Sequence, residues 1–280
     1  MKILITGANG QLGRELTKQY KNKHAELLLT DVADLDITKI DEVYEYVNKN
    51  KPDIIINCAA HTAVDKCETD SDNAFRINVI GPKNLAQAAY SIGAEIVQVS
   101  TDYVFDGNGN KPLIEFDKTN PQTVYGSTKL FGEQVVMQHN PKHYIVRTAW
   151  LYGDGNNFVK TMINLSKTNN SLKVVNDQFG TPTSTVDLAK VIIKLIDDKN
   201  YGVFHCTCKG ECSWYDFAKE IFRIKGINIE VIPCSTDEFP RPAKRPAYSV
   251  LRNYMLEMTT GDITRTWQEA LENYLKDLDV

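Results

Sequence analysis

Lys2-Ile-Leu-Ile-Thr-Gly7-Ala-Asn-Gly10-Gln-Leu-Gly13 decides how the rest of the chain is read. An apolar run of strand length ends in three glycines spaced three apart, and the helical stretch 14–20 follows. Glycine at such a turn lets backbone approach a ligand closely, while the N–H groups and dipole of the next helix face an anion. The spacing G-x-x-G-x-x-G is one residue longer in its first gap than the G-x-G-x-x-G dinucleotide fingerprint. Tight turns also use glycine for structural reasons alone, so position has to carry the reading. A second strand at 26–30 ends at Asp31 and completes a βαβ unit with an acid at its tip. An acid placed about 20 residues past the glycines accepts hydrogen bonds from dinucleotide ribose hydroxyls. The plain alternative for Asp31 is a solvated loop residue or cap.

The 280 residues can form one large domain or two lobes. A net charge of −4 argues against a protein that grips nucleic acid or an anionic membrane. No run approaches the roughly eighteen apolar residues of a membrane span, and the N-terminus enters a strand without a signal-peptide pattern. A cytoplasmic protein is therefore expected, with neither nucleic acid nor membrane as partner. Six irregularly spaced cysteines do not read as a disulfide framework.

Thr38 is placed to cap a helix over 39–50, and Pro52 precedes the strand Asp53-Ile-Ile-Ile-Asn57. That strand is apolar without alternation, as expected of one covered on both faces of a parallel sheet. It leaves through Cys58-Ala-Ala60-His61-Thr62, whose small residues let a cofactor lie against backbone or, equally, allow close helix packing. His61 also reads as a plain loop histidine. A helix over 71–92 carries Gly81-Pro82, where a kink is expected. A strand at 95–99 delivers Ser100-Thr101-Asp102-Tyr103; a Gly/Asn/Pro-rich loop leads to Tyr125 and Lys129 on a helix reaching about residue 138. A strand at 144–147 ends in Thr148-Ala-Trp150, and a helix follows at 158–166. The expected fold is α/β: a Rossmann-type doubly wound parallel sheet over 1–150, rejoined by some later segments. Residues 151–280 are expected to form a smaller, mainly substrate-binding mixed α/β lobe.

Tyr125 and Lys129 are four apart and project from one helix face. A phenol is a poor acid or base at neutral pH, but an adjacent ammonium stabilises its phenolate, and it can then exchange a proton with a substrate oxygen. Such a pair alone is commonly an ordinary surface pair. The hydroxyl of Thr101, at the end of the preceding strand, can polarise the same oxygen, and glycine turn, Thr101 and Y-x-x-x-K together are unlike a chance set.

With Gly7–Gly13 and Tyr125…Lys129, the chain resembles the extended short-chain dehydrogenase/reductase family, and within it the dTDP-4-dehydrorhamnose reductases. The closer resemblance lies in Ala59-Ala-His-Thr-Ala-Val-Asp-Lys66, Ser100-Thr-Asp-Tyr-Val-Phe105, Val124-Tyr-Gly-Ser-Thr-Lys-Leu130 and Arg147-Thr-Ala-Trp150. Gly155-Asn-Asn-Phe158 and Asn176-Asp-Gln-Phe-Gly-Thr-Pro-Thr183 extend it nearly end to end, most weakly over the last forty or so residues. It implies NADPH or NADH as cofactor and a sugar nucleotide as substrate, reduced at its C4 ketone. It further implies Gly10, Gln11 and Leu12 on the cofactor diphosphate, Asp31 on the ribose, Asp36 and Ile37 beside the adenine, and Ala60, His61 and Thr62 along the nicotinamide. Thr101, Tyr125 and Lys129 would be catalytic, Lys129 also holding the nicotinamide ribose. Asp102, Tyr103 and Trp150 would meet the sugar. Asn157 is a further substrate-binding candidate, and Arg245, in the basic stretch Arg241-Pro-Ala-Lys-Arg245-Pro246, suits a diphosphate.

Some relatives join a homodimer through magnesium. Glu15 matches one such position, but Ser184-Thr185-Val186 offers no acid before Asp187, so a metal-linked dimer is not expected and a homodimer is left open. His205-Cys-Thr-Cys-Lys-Gly-Glu-Cys212 suggests a metal cluster, but a strand over 202–208 puts Cys206 and Cys208 on one face and His205 on the other. Ser213 then reads as the cap of a helix over 214–223, with Asp216 closing a capping box. No metal site is expected. The competing readings are a sugar-nucleotide dehydratase or epimerase, disfavoured because Tyr103 rather than Glu follows Asp102, and a non-catalytic dinucleotide-binding subunit.

Overall fold

The computed structural model describes residues 1–21, 23 and 25–278. In the first half, β1 (Lys2–Thr6), α1 (Gln11–Lys21), β2 (Glu26–Thr30), α2 (Ile40–Asn50) and β3 (Ile54–Asn57) alternate. The short helices α3 (Val64–Cys67) and α4 (Ser71–Phe75) follow, and a π turn over Arg76–Ile80 runs into α5 (Gly81–Ser91). Next come β4 (Glu95–Thr101), α6 (Val124–His139) and β5 (His143–Thr148). The second half is shorter-stepped: β6 (Leu151–Tyr152), α7 (Phe158–Ser166), β7 (Ser171–Val175), β8 (Phe179–Gly180), β9 (Thr183–Ser184), α8 (Thr185–Asp197), β10 (Gly202–His205) and β11 (Cys212–Ser213). It ends with α9 (Trp214–Lys225), β12 (Glu230–Cys234), α10 (Tyr254–Met258) and α11 (Trp267–Lys276).

Six strands form one parallel sheet in the order β10-β5-β4-β3-β1-β2. Ile3, Ile5, Ile54 and Ile56 bury one face against α1 and α8, while Leu4, Ile55, Ile96 and Ile145 bury the other against α2, α5 and α6. Doubly covered strands explain the unbroken isoleucine run of β3. The chain leaves β1 toward β2 on one side and returns to β3 on the other, so the crevice at the carboxyl ends of β1 and β3 is where such sheets bind ligands. A separate core gathers Tyr152, Phe217, Trp267 and Leu271 from the later elements. Although β10 and α8 come late in the chain, they join the large sheet and its core. No helix among the described residues is long and apolar enough to cross a membrane.

One local expectation is corrected. Thr38 does not cap α2: its hydroxyl donates to Asp36 Oδ1 at 2.7 Å, and Lys39 occupies the cap without a side-chain bond. The short Asp36 side chain competes locally and wins. Around Pro82, where a kink is expected, the helix widens into a π turn. Proline has no N–H for the Asn78 carbonyl, and Gly81 N–H reaches back to the Arg76 carbonyl across the π turn. By contrast, Ser213 and Asp216 do form a reciprocal capping box, with Ser213 Oγ accepting from Asp216 N–H.

The π turn brings Asn78 hard against α6. A Cβ added to Gly132 would stand 2.3 Å from the Asn78 carbonyl oxygen. In an ordinary helix interior Ala is better than Gly by about 1 kcal/mol. Here the contact reverses the sign: Gly132→Ala is expected to lower stability in urea unfolding by about 2 kcal/mol, and a stabilised variant would refute the close approach.

Candidate active site

A cleft of about 1090 Å³ opens along the carboxyl edge of the sheet and continues into the second core. At its first end, Gly7 adopts φ +65°, and a Cβ there would lie 2.7 Å from Ala59 N. At Gly13 a Cβ would meet the Gly7 carbonyl oxygen at 2.4 Å. Only glycine therefore lets β1, α1 and the exit of β3 come together. The opening N–H groups of α1, from Gln11 onward, have no acceptor within the helix, and its first turn carries no acid. Gly10, Gln11, Leu12 and Gly13 line the cleft there. Uncompensated donors and a positive helix end suit a diphosphate.

Asp31, Asp36 and Ile37 line the wall next to this helix end. Asp31 is held in place, its Oδ1 accepting from Val32 N–H at 2.8 Å and its Oδ2 from Asn9 N–H at 3.3 Å. Arg14 is turned away and engaged, Nη1 donating to the Asn9 carbonyl at 2.7 Å and Nε pairing with Asp154 at 3.1 Å. The acidic wall thus has no free cation beside it from this arginine.

In the middle of the cleft, the last residues of β4 meet α6. Lys129 Nζ donates to the Val99 carbonyl at 2.6 Å. Burial lowers its pKa to about 8, against the opposing charge of Glu133. Thr101 Oγ1 donates to Asp102 Oδ1 at 2.9 Å and accepts from Tyr103 N–H at 3.2 Å. Burial pushes Asp102 up to about 6, with the Ser249 and Thr101 hydroxyls pulling the other way. Tyr125 has its pKa raised, chiefly by burial; the Thr101 hydroxyl opposes the rise and Asp102 adds to it. The phenol is therefore neutral and ready to donate. Tyr103 packs edge-on against it, ring centroids 5.5 Å apart.

At the far end stands Trp150, whose φ of +47° is unusual for a bulky side chain. Its indole is stacked on Trp214 at 3.5 Å and 7°, and a Cβ at Gly180 would be 2.4 Å from the ring. A strained backbone under a ring held this closely is the pattern of a binding position. Lys173, Arg241 and Arg245 also line the cleft, and Lys173 pairs with Glu238 at 2.9 Å. Arg245 Nη2 pairs with Asp65 at 2.8 Å, and Ala243 N–H donates to the same carboxylate at 3.3 Å.

All cofactor positions expected from the sequence line the cleft except His61, and all substrate positions except Asn157. The His61 ring lies beside the Cys67 sulfur (Nδ1 to Sγ 3.2 Å), while its backbone N–H donates to Asn78. Asn157 caps α7, accepting from Lys160 N–H at 3.1 Å, and its amide donates to the Gly153 carbonyl and to Gln11. It touches the cleft only through Gln11. Trp214, Ser249, Lys173 and Phe239 line the cleft without having been picked out. They come from four separate segments of the late chain, where no motif marks them; Trp214 had a local signal, standing first in a well-capped helix. Among the described residues no group of three or more His, Cys, Asp and Glu could hold a metal. Asp187 is buried in a bidentate pair with Arg265, Nη2 at 2.6 Å, and Glu15 accepts from Gln19.

The model of the RmlD substrate binding domain family matches residues 1–280. A solved dTDP-4-dehydrorhamnose reductase from Clostridium acetobutylicum is 70% identical, with a TM-score of 0.98 and 99% of each chain covered. Another, from Bacillus anthracis and in complex with NADP, is 43% identical, with a TM-score of 0.97 and again 99% of each chain covered. The spore coat polysaccharide biosynthesis protein SpsK of Bacillus subtilis is 41% identical over 99% of this chain and 97% of its own.

Proposed function

The chain belongs to the RmlD substrate binding domain family, and on that premise we propose that it is the NAD(P)H-dependent reductase that converts dTDP-4-dehydro-L-rhamnose to dTDP-L-rhamnose. The observation that carries this reading is the convergence of Thr101, Tyr125 and Lys129 in the middle of one cleft. That cleft runs from a glycine-framed helix end to a cationic, tryptophan-walled pocket. We place the reaction in the cytoplasm, where it feeds polysaccharide synthesis.

The residues fit a nicotinamide dinucleotide: the crowded glycines Gly7 and Gly13 and the free N–H groups of α1 form the diphosphate cradle, and Asp31 suits the ribose. Bound there, the dinucleotide supplies a hydride to the C4 carbonyl carbon. Tyr125 donates its proton to the carbonyl oxygen as negative charge grows on it. Thr101 turns a hydroxyl toward the same oxygen and steadies that charge. Lys129, held by the Val99 carbonyl, places its ammonium beside Tyr125 and the nicotinamide ribose, and stabilises the phenolate left behind. Trp150 and Trp214 offer a flat apolar wall to the sugar, and Arg245 an anchor for the substrate diphosphate.

Reduction rather than dehydration is favoured by what stands next to Asp102. A dehydratase needs a second positioned acid or base, and the neighbouring Tyr103 carries a phenol whose pKa burial raises further.

Tyr125→Phe keeps the ring and its packing but removes the proton. Turnover of dTDP-4-dehydro-L-rhamnose, followed by loss of reduced-nicotinamide absorbance, is expected to fall by about 10²–10⁴-fold, with dinucleotide affinity nearly unchanged; an active Phe variant would sink the assignment. Asp31→Ser removes a carboxylate that repels a ribose 2′-phosphate. The ratio of kcat/KM for NADPH over NADH should rise about tenfold, and a constant ratio would show that Asp31 does not face the ribose.

A further inference from the structure

Tyr125, Lys129 and Glu133 follow one another at four-residue steps along one face of α6. The first two belong to the centre just described, and the third does not. Glu133 is fully buried, and both its oxygens are taken: Arg147 Nε donates to Oε1 at 2.9 Å and Nη2 to Oε2 at 2.7 Å, and Ser100 Oγ also donates to Oε1. Ser100 and Arg147 are themselves paired across β4 and β5.

As a stability device this pair is a poor choice. Burying two charges costs more than most pairs return, and similar-sized apolar residues commonly do as well. Moreover, Arg147 Nη1 is buried with no hydrogen-bond partner among the described residues. The reason for the pair is better sought one turn up the helix. Val99 receives the Lys129 ammonium on its carbonyl, Ser100 bonds Glu133, and Thr101 lies beside Tyr125. Three consecutive residues of β4 are thus keyed to three consecutive turns of α6.

We propose that Glu133, fixed by Arg147 and Ser100, is a positioning residue of the reductase centre: its carboxylate holds α6 in register on β4 and keeps the Lys129 ammonium charged. The groups around Lys129 support this. It shares one face of α6 with Tyr125 and Glu133, feels Cys58 at the exit of β3, and reaches the Val99 carbonyl on β4. Burial raises the pKa of Tyr125 and pushes Cys58 up to about 12, so both are neutral. Asp102 acts on Tyr125 and Tyr103 instead. Arg147 lies behind Glu133, its guanidinium over the Phe105 ring. Glu133 is therefore the anion that opposes the desolvation of Lys129.

The proposal rests on Lys129 contacting the dinucleotide, and its test reads binding rather than turnover. Wild type, Glu133→Gln and the double variant Glu133→Gln with Arg147→Met would be titrated with NADH by nicotinamide fluorescence from about pH 6 to about pH 10. The double variant removes both charges and so avoids leaving an unpaired arginine in the core. In the wild type, affinity should decline as Lys129 loses its proton near pH 8. In both variants the midpoint of that decline should move down by about one pH unit, a tenfold change in proton concentration. Binding that is weaker at every pH with an unmoved midpoint would reduce Glu133 to packing and overturn the proposal. A protein that shows these shifts yet fails to reduce the keto sugar nucleotide would overturn the assigned reaction and leave the role of Glu133 standing.

Discussion

The reacting end of this molecule depends on how tightly α6 is wedged between two backbone carbonyls. A Cβ on Gly126 would stand 2.2 Å from the Tyr103 oxygen, and one on Gly132 would stand 2.3 Å from the Asn78 oxygen. Between those two points the helix has little freedom to slide or roll, and Tyr125 and Lys129 lie on the constrained turns. Asn78 extends the constraint sideways. Its side-chain Nδ2 donates to Thr128 Oγ1 at 3.1 Å on α6, while its side-chain Oδ1 accepts from His61 N–H at 2.9 Å. One residue of a π turn thus ties α6 to the loop 59–62. Such turns are frequent at functional sites because the widened helix re-aims a side chain.

The two halves of the cleft are built on different principles. The dinucleotide half is framed mainly by backbone at the ends of parallel strands, stiffened by a buried polar ladder. In that ladder, Thr6 Oγ1 donates to Asn57 Oδ1 and Asn57 Nδ2 to Gln98 Oε1, each at 2.7 Å. Satisfied side-chain networks of this kind fix a core in one arrangement. The other half is made of side chains from separated segments: Trp150 after β5, Lys173 on β7, Trp214 on α9, and Phe239, Arg241 and Arg245 after β12. A scaffold that holds a common cofactor rigidly, with late loops that shape the second pocket, lets substrate choice vary without disturbing the chemistry.

That division also governs how much could be read in the sequence. Glycine spacing, the all-apolar β3, Asp31 and the Tyr125–Lys129 pair are local signals whose physical meaning needs no distant partner. They give the doubly wound sheet and nearly all of the cofactor wall. Trp214, Ser249 and Phe239 depend on long-range folding, and nothing within a few residues of them announces a cleft. His61 and Asn157 mark a different limit: both sit in stretches that border the cleft, but a thiol and a helix cap claim their side chains. Thr38 fails for a local reason, a competing aspartate, while Gly81-Pro82 does mark an irregular turn of its helix. Sequence position tells which segment reaches a site more readily than which side chain turns into it.

Charge is distributed along the cleft in a way that orders its two anionic ligands. Asp31 and Asp36 make one end acidic, so a diphosphate can enter there only where helix N–H groups outweigh them, at the start of α1. Lys173, Arg241 and Arg245 line the cleft as well, Lys173 paired with Glu238 and Arg245 with Asp65. Tyr125, Tyr103 and Cys58 are neutral, and Asp102, raised to about 6, places a carboxylate beside Thr101 and Tyr125. A growing negative charge on a substrate oxygen therefore meets a proton, a hydroxyl and an ammonium, with Asp102, mostly ionised above pH 6, as the opposing charge. In so dry a setting each of these is worth more than it would be in water. The same dryness is what lowers Lys129 and makes a buried carboxylate one turn away necessary to its charge. On the proposed reading, catalytic strength at Tyr125 and the need for Glu133 thus have one physical origin.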